Sequence, residues 1–355
     1  MKLRIFSVFA GLCLLLSGCG QKEAVPAVAD ATPVPTPVQS EIIITAAGDC
    51  TLGSDPRFAY TGSFHARMEE EGGNHGYFFE NVAPIFRADS LTVVNFEGTL
   101  TEATERADKA YTFKGPAHYA KILTEGDIEA VSLANNHTYD FGEQGFADTK
   151  KALEAENIAY MYNDKTALFS VQSGREAALA SGEKQAGETY IGLAAFAVWY
   201  DDGEVRNRIK TAISSLREAG ADLVFVSCHW GMEGENFPVD YQKAIGRYAI
   251  DMGADGVFGH HPHVIQGIET YKGKEIVYSM GNFCFGGNHN PRDKDCYIYQ
   301  LTYSAVDGVL TGQWKSEIIP CRISSQSGYN DYKPTPLLGE EKERVLGRMD
   351  LYRVS

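Results

Sequence analysis

The chain has 355 residues, 44% of them hydrophobic, which is enough to bury a substantial core in one large domain or two modest ones. Its formal charge of −15 at pH 7, with no Lys/Arg-rich block, argues against a nucleic-acid groove or a polybasic lipid patch. Seven cysteines without a CxxC spacing exclude a dense disulfide framework and give no thiolate metal site.

Lys2 and Arg4 precede an apolar stretch over residues 5–16 that is too short to span a bilayer comfortably, so residues 1–18 read as a secretory signal. Leu16-Ser17-Gly18-Cys19 resembles a lipoprotein cleavage box, which makes Cys19 the lipidated first residue of the mature chain. The plainer alternative is an ordinary cleavage site with a cysteine beside it. Residues 19–40, rich in Ala, Val, Pro and Thr, form a semi-stiff tether. The expected location is therefore the extracytoplasmic face of the cell membrane, with the membrane reached through a lipid anchor.

The expected folded domain covers residues 41–323. Short apolar runs at 41–47, 91–95, 128–133, 190–195, 221–227 and 256–258 read as strands buried on both faces. Helical spacing of apolar residues marks 77–87, 142–157, 205–219 and 239–252, and the alternation indicates an α/β fold. Residues 172–188 read as a surface excursion. Beyond 263 a hairpin about Lys272-Gly273 and strands at 297–303 and 309–319 suggest a more antiparallel half. Residues 324–355 are a polar C-terminal extension with one helix at 339–351. A single bridge, Cys284 to Cys296 or Cys296 to Cys321, and free buried thiols are equally compatible with the pattern.

The chemistry gathers where the runs stop. Asp49, Glu97, Asn136-His137, His229 and the segment Gly259-His260-His261-Pro262-His263 each follow a strand. Imidazole, carboxylate and carboxamide form the donor set of divalent transition ions such as Mn, Zn or Fe. His261 and His263 are two apart, so on an extended segment both rings point one way, with Pro262 fixing the backbone between them. His260 then faces elsewhere, toward a substrate or another ligand. Glu233, one turn beyond His229, can orient an imidazole or accept a proton, or it is simply a solvated carboxylate. Asp140 either shapes the turn after His137 or caps the helix that begins at Gly142. Paired carboxylates would also suit a glycosidase, but that chemistry has no use for four imidazoles, and no G-x-S-x-G elbow is present.

Read together, Gly48-Asp49, Asn95-Phe96-Glu97, Asn135-Asn136-His137-Thr138-Tyr139-Asp140, His229-Trp230-Gly231-Met232-Glu233, Gly259 to Gln266 and Ser279-Met280-Gly281-Asn282-Phe283 resemble the CapA family of capsule-synthesis proteins over about residues 42–322. That family is in turn similar to calcineurin-like metallophosphoesterases. The resemblance implies a four-layer αββα sandwich of the metallo-dependent phosphatase type, with ions at the strand ends. It implies Asp49 and His263 on a first ion, Glu97 bridging, and Asn136, His229 and His261 on a second. It implies that His137 contacts the phosphoryl group or the leaving oxygen; Glu233 and His260 stand beside it as candidate catalytic groups, and Asn95, Asn135, Trp230, Gln266 and Asn282 as candidate substrate contacts. In the phosphoesterases a His stands two residues after the first Asp; here Cys50 and Thr51 follow Asp49, which leaves the first ion one ligand short.

Two functions remain open. One is a metal-dependent hydrolase outside the cell, acting on a phosphoester or an anionic polymer in poly-γ-glutamate synthesis or export. The other is a non-enzymatic accessory or polymer-binding subunit working beside membrane-bound capsule-synthase chains.

Overall fold

The computed structural model of the protein describes residues 37–171 and 188–354. The signal at 1–18, the lipidation residue Cys19, the tether up to residue 36 and all but the last residue of the expected 172–188 excursion lie outside the described residues. Among the described residues, no helix is long and apolar enough to cross a membrane.

The strands are, in chain order, β1 (Gln39–Thr51), β2 (Leu91–Phe96), β3 (Thr99–Leu100), β4 (Lys114–Gly115), β5 (Ala130–Ser132), β6 (Ala159–Met161), β7 (Ala167–Val171) and β8 (Thr189–Ala197). There follow β9 (Leu223–His229), β10 (Gly256–His260), β11 (Ile268–Tyr271), β12 (Lys274–Val277), β13 (Asn282–Phe285), β14 (Asp295–Val306), β15 (Val309–Arg322) and β16 (Thr335–Pro336). The helices are α1 (Phe64–Glu70), α2 (Ala83–Phe86), α3 (Ala120–Gly126), α4 (Gly142–Ala155), α5 (Gly203–Glu218), α6 (Asp240–Asp251) and α7 (Gly339–Leu351).

One sheet runs β16-β15-β14-β1-β2-β5-β6, with β13 also paired to β1; the other runs β11-β12-β10-β9-β8-β7. Parallel pairing joins β1, β2, β5 and β6 in the first and β8, β9, β10 and β12 in the second. Antiparallel strands close the margins. Parallel neighbours point their C-terminal ends the same way, so every strand-end residue of interest is carried to one edge of its sheet.

Period-two alternation explains how the sheets are covered. In β2, Leu91 and Val93 enter a core shared with the second sheet, while Val94 and Phe96 turn to a core with α1, α3 and α4. In β9, Leu223 and Phe225 face the shared core, and Val224, Val226 and Cys228 face α5 and α6. The continuous apolar runs exist because these strands must satisfy both faces at once.

Several local features follow from single residues. Lys272 and Gly273, with φ of 49° and 73°, make the tight two-residue turn between β11 and β12. The expected helix at 77–87 is not continuous; a 3₁₀ turn at His75–Tyr77 and the short α2 replace it. Pro84 lies in the first turn of α2 and has no N–H to give a preceding turn, so the helix restarts there. β1 begins at Gln39, inside the expected tether, because Gln39 and Ser40 find partners in Val306 and Ala305 of β14. The C-terminal stretch is part of the fold: Tyr332, Val345 and Met349 are buried, and Arg344 and Arg348 clamp Asp295. Cys50, Cys228, Cys284, Cys296 and Cys321 are buried and free, although Cys296 and Cys321 are cross-strand partners.

Phe225 stacks on Phe258 at 5.3 Å between the sheets. Phe225→Ala is expected to cost about 3–5 kcal/mol, measured by urea unfolding, because neither sheet can close the resulting void.

Candidate metal centre

Five strand ends converge. β1 supplies Asp49, and β2 supplies Asn95 and, one residue on, Glu97. The turn after β5 supplies Asn135, Asn136 and His137, β9 ends on His229, and β10 ends on His260 before His261 and His263. Close approach of the backbones makes this possible. A methyl at Gly48 would overlap the Gly281 carbonyl oxygen, and with glycine there the Asp49 N–H donates to that oxygen at 2.9 Å. Register shifts between Ala47 and Asp49, an irregularity that re-aims the carboxylate.

Two groups of donor atoms, Asp49–Glu97–His229 and Glu97–His261–His263, each fit within 4.8 Å. Glu97 is common to both. Its Oε1 lies 3.6 Å from His137 Nε2, 3.7 Å from His263 Nε2 and 4.0 Å from His229 Nε2. Asp49 lies 3.3 Å from His263 Nδ1 and 3.4 Å from His260 Nδ1, and Asn95 donates to it at 2.8 Å. Asn136 Oδ1 is 2.7 Å from His229 Nε2. Both Glu97 oxygens and His261 Nδ1 are buried without a hydrogen-bond partner among the described residues. Orphaned donors aimed inward are what a cation site requires.

The histidine segment is not extended. His261 and His263 have φ of 97° and 56°, so the chain turns sharply on either side of Pro262. The rings stand 58° apart and converge on Glu97 from different directions instead of pointing in parallel. The left-handed backbone is held from outside: the His261 N–H reaches Asp49 at 3.3 Å and the Gly234 N–H donates to the Pro262 carbonyl at 2.8 Å.

The other candidate residues divide. The Asn282 Oδ1 accepts from His263 Nδ1 at 2.9 Å, and Asn282, with His137, His263 and Glu233, borders a cavity of about 660 Å³. Asn135 is committed to Asn95 and the Phe96 carbonyl. Trp230 and Gln266 do not reach the cavity. The Trp230 indole is fully enclosed and donates to the Tyr278 carbonyl, while Gln266 ties Gln242 to the Glu235 carbonyl; both brace the loops after β9 and β10. Asp140 does not cap α4. Its carboxylate lies 2.7 Å from His137 Nδ1 and 2.8 Å from Lys109 Nζ.

Lys109 escaped the sequence reading, because it lies in a loop without periodicity; its ammonium also bonds the Asn136 carbonyl at 2.8 Å. Phe113, stacked on His137 at 4.4 Å, escaped likewise. Trp199 stands edge-on to His261 at 5.2 Å and to His229 at 5.9 Å, and no motif marked it. The three-residue step from His137 to Asp140 was a usable signal.

Burial dominates the electrostatics. It raises Glu97 to about 8, with Asp49 adding to the rise and His263 opposing it. Burial also resists ionisation of Asp49, but hydrogen bonds from His260 and His263 outweigh it and hold the carboxyl well below its usual range. Burial and His261 push His229 far down, and burial with the charge of His263 lowers His261 to about 4. His263 resists its burial: the carboxylates of Glu97 and Asp49 raise it to about 10. Near neutral pH His229 and His261 are therefore neutral imidazoles beside the ionised Asp49, while His263 and Glu97 hold protons that a divalent ion would have to displace.

Fold and site together define an α/β protein with a buried His/carboxylate centre at its strand ends. The family model described as bacterial capsule synthesis protein PGA_cap matches residues 43–287, and the chain belongs to that family. It is 33% identical to the PGA biosynthesis protein CapA of Bacillus subtilis (strain 168) over 251 residues, covering 68% of this chain and 65% of that one. To the capsule biosynthesis protein CapA of Bacillus anthracis it is 29% identical over 240 residues, covering 63% and 57%. To a probable polyglutamine synthesis accessory protein of Mycobacterium tuberculosis (strain H37Rv) it is 27% identical over 258 residues, covering 67% of each. The match therefore spans less than two thirds of either Bacillus protein's own length. Among solved structures, a hypothetical protein from Thermus thermophilus covers 79% of this chain and 99% of its own, at 15% identity and a TM-score of 0.43.

Glu97 sets a pH dependence. Its folded value of about 8 lies above its unfolded one, so between about 4.5 and 8 the folded state binds more protons and stability falls as pH rises. With a chelator present, the wild type should lose more of its urea midpoint across that range than Glu97→Gln does, the contribution of buried Glu129, also raised to about 8, being common to both.

Proposed function

We propose that the chain holds one or two divalent ions, Mn, Zn or Fe, and acts at the outer face of the cell membrane in making or exporting poly-γ-glutamate. The reading includes cleavage of an ester or amide bond at the centre. It treats the two covered sheets as the four-layer αββα sandwich of the metallo-dependent phosphatase type. Capsule assembly is supported by family membership and by the names of the Bacillus relatives. The observation that carries the metal is Glu97: both carboxylate oxygens are buried and without a hydrogen-bond partner among the described residues, amid three imidazoles and Asp49. Without a cation such a group is costly.

Asp49 and His263 would hold one ion, Glu97 would bridge, and His229, His261 and Asn136 would hold the other. When bound, the ions supply Lewis-acid polarisation of a phosphoryl or carbonyl oxygen and acidify water. The protein's own groups do the rest. His137, fixed at Nδ1 by Asp140 and stacked on Phe113, presents its Nε2 toward Glu97 and can pass a proton to a leaving oxygen there. Lys109 braces Asp140 and the Asn136 carbonyl, holding the ring and the carboxamide in register. Trp199 and Phe113 keep bulk water from the imidazole edges.

A second reading, a non-enzymatic accessory subunit beside membrane-bound synthase chains, is favoured by the name of the Mycobacterium relative. Activity separates the two. Protein loaded with Mn²⁺ should turn over a generic phosphodiester, and the pair His261→Ala with His263→Ala should lower metal content by elemental analysis and rate by roughly 100-fold. Wild-type protein that takes up no divalent ion removes the centre; metal without turnover leaves the accessory role.

A further inference from the structure

The cavity bordering His137, His263 and Asn282 is also walled by the loop between β13 and β14, which contributes Asn288, His289 and Arg292. Arg292 is exposed and has no hydrogen-bond or ion-pair partner among the described residues. Its neighbour Asp293 cannot neutralise it, because Arg348 occupies that carboxylate at 2.6 Å. Arg344 and Arg348 nearby are both spent on acidic partners. In a chain with 47 acidic and 32 basic residues, this guanidinium places an unpaired positive charge at the cavity wall.

Glu233 and the ring of His263 line one part of this cavity, and Arg292, Asp293 and His289 line the part formed by the loop. Phe58, Tyr111 and Phe285 contribute apolar wall. Next to apolar wall a guanidinium attracts an anion more strongly than in open water, and its planar fork matches the two oxygens of a carboxylate or phosphate.

We propose that Arg292 is a specificity-determining residue that anchors an anionic oxygen-acid group of the substrate, a carboxylate or a phosphate, several bonds from the group at the metal centre. Asn288 and His289 complete the anion site. The inference deepens the proposed function and rests on it for the position of the reacting bond. It accounts for an acidic chain having a place for an acidic substrate: a fixed guanidinium at the cavity wall offsets the repulsion locally.

The test is calorimetric titration of the full chain, in Mn²⁺, with three probes. These are a short γ-linked glutamate oligomer, the same oligomer with its α-carboxylates amidated, and inorganic phosphate. The acidic oligomer should bind roughly tenfold more tightly than the amidated one. Arg292→Gln should abolish that difference while leaving Mn²⁺ content and binding of the neutral oligomer unchanged, and Arg292→Lys should restore part of it; a loss of roughly tenfold is the size of one charge-assisted hydrogen bond. If the Arg292-dependent anion is phosphate and not the oligomer, the site stands and its source is a phosphoester. Arg292→Gln binding every probe as the wild type does overturns the inference, with the metal centre untouched if Mn²⁺ uptake is normal. Arg292-dependent binding in protein that takes up no Mn²⁺ upholds the anion site and removes the centre instead.

Discussion

Two carboxylates, Asp49 and Glu97, are drawn to one place and removed from water, where mutual repulsion and lost hydration both act against the charged forms. The protein tolerates this only because imidazoles from three other segments lie within a few ångströms. The proton held by His263 is a partial answer; a divalent cation would be a complete one. Much of the surrounding architecture can be read as the means of holding these groups together: the close approach at Gly48, the irregularity in β1, and the left-handed backbone on either side of Pro262.

The supporting layer is as specific as the centre. Asn95 holds Asp49, Asn135 holds Asn95, and the N–H of His137 returns to Asn135, so one amide chain links three strand ends. A second chain, Lys109 to Asp140 to His137, fixes the imidazole nearest the cavity from the opposite side. Such chains orient donors without spending their free electron pairs on the ion's side, which is the condition for a preorganised site. Trp230 and Gln266 serve the same end by bracing loops from within, although their place in the histidine blocks suggested contact with substrate.

Where sequence reading failed, the cause was physical. β6 has three residues, too few to show any period, and β7 is held by its antiparallel partner β8. The pairing of β13 with β1 depends on contact across more than two hundred residues, which no local pattern encodes. Lys109 and Phe113 come from an irregular loop, so their approach to His137 follows from where that loop is laid down. The 77–87 helix failed for a local reason, Pro84, which outweighed a good apolar spacing.

By itself the sequence determined the α/β character, because strands covered on both faces must be apolar throughout and helices covered on one face must repeat near 3.6 residues. It also determined which residues could carry the chemistry, since buried runs ending in Asp, Glu, Asn and His leave few other uses for those groups. Only the tertiary structure decided which donors share a space, that Glu97 stands at their centre, that His261 and His263 converge through a turn, and that Arg292 opens onto the same cavity. Those facts rest on distances between segments far apart in the chain, and such distances are set by the packing of whole sheets and not by any neighbouring residue.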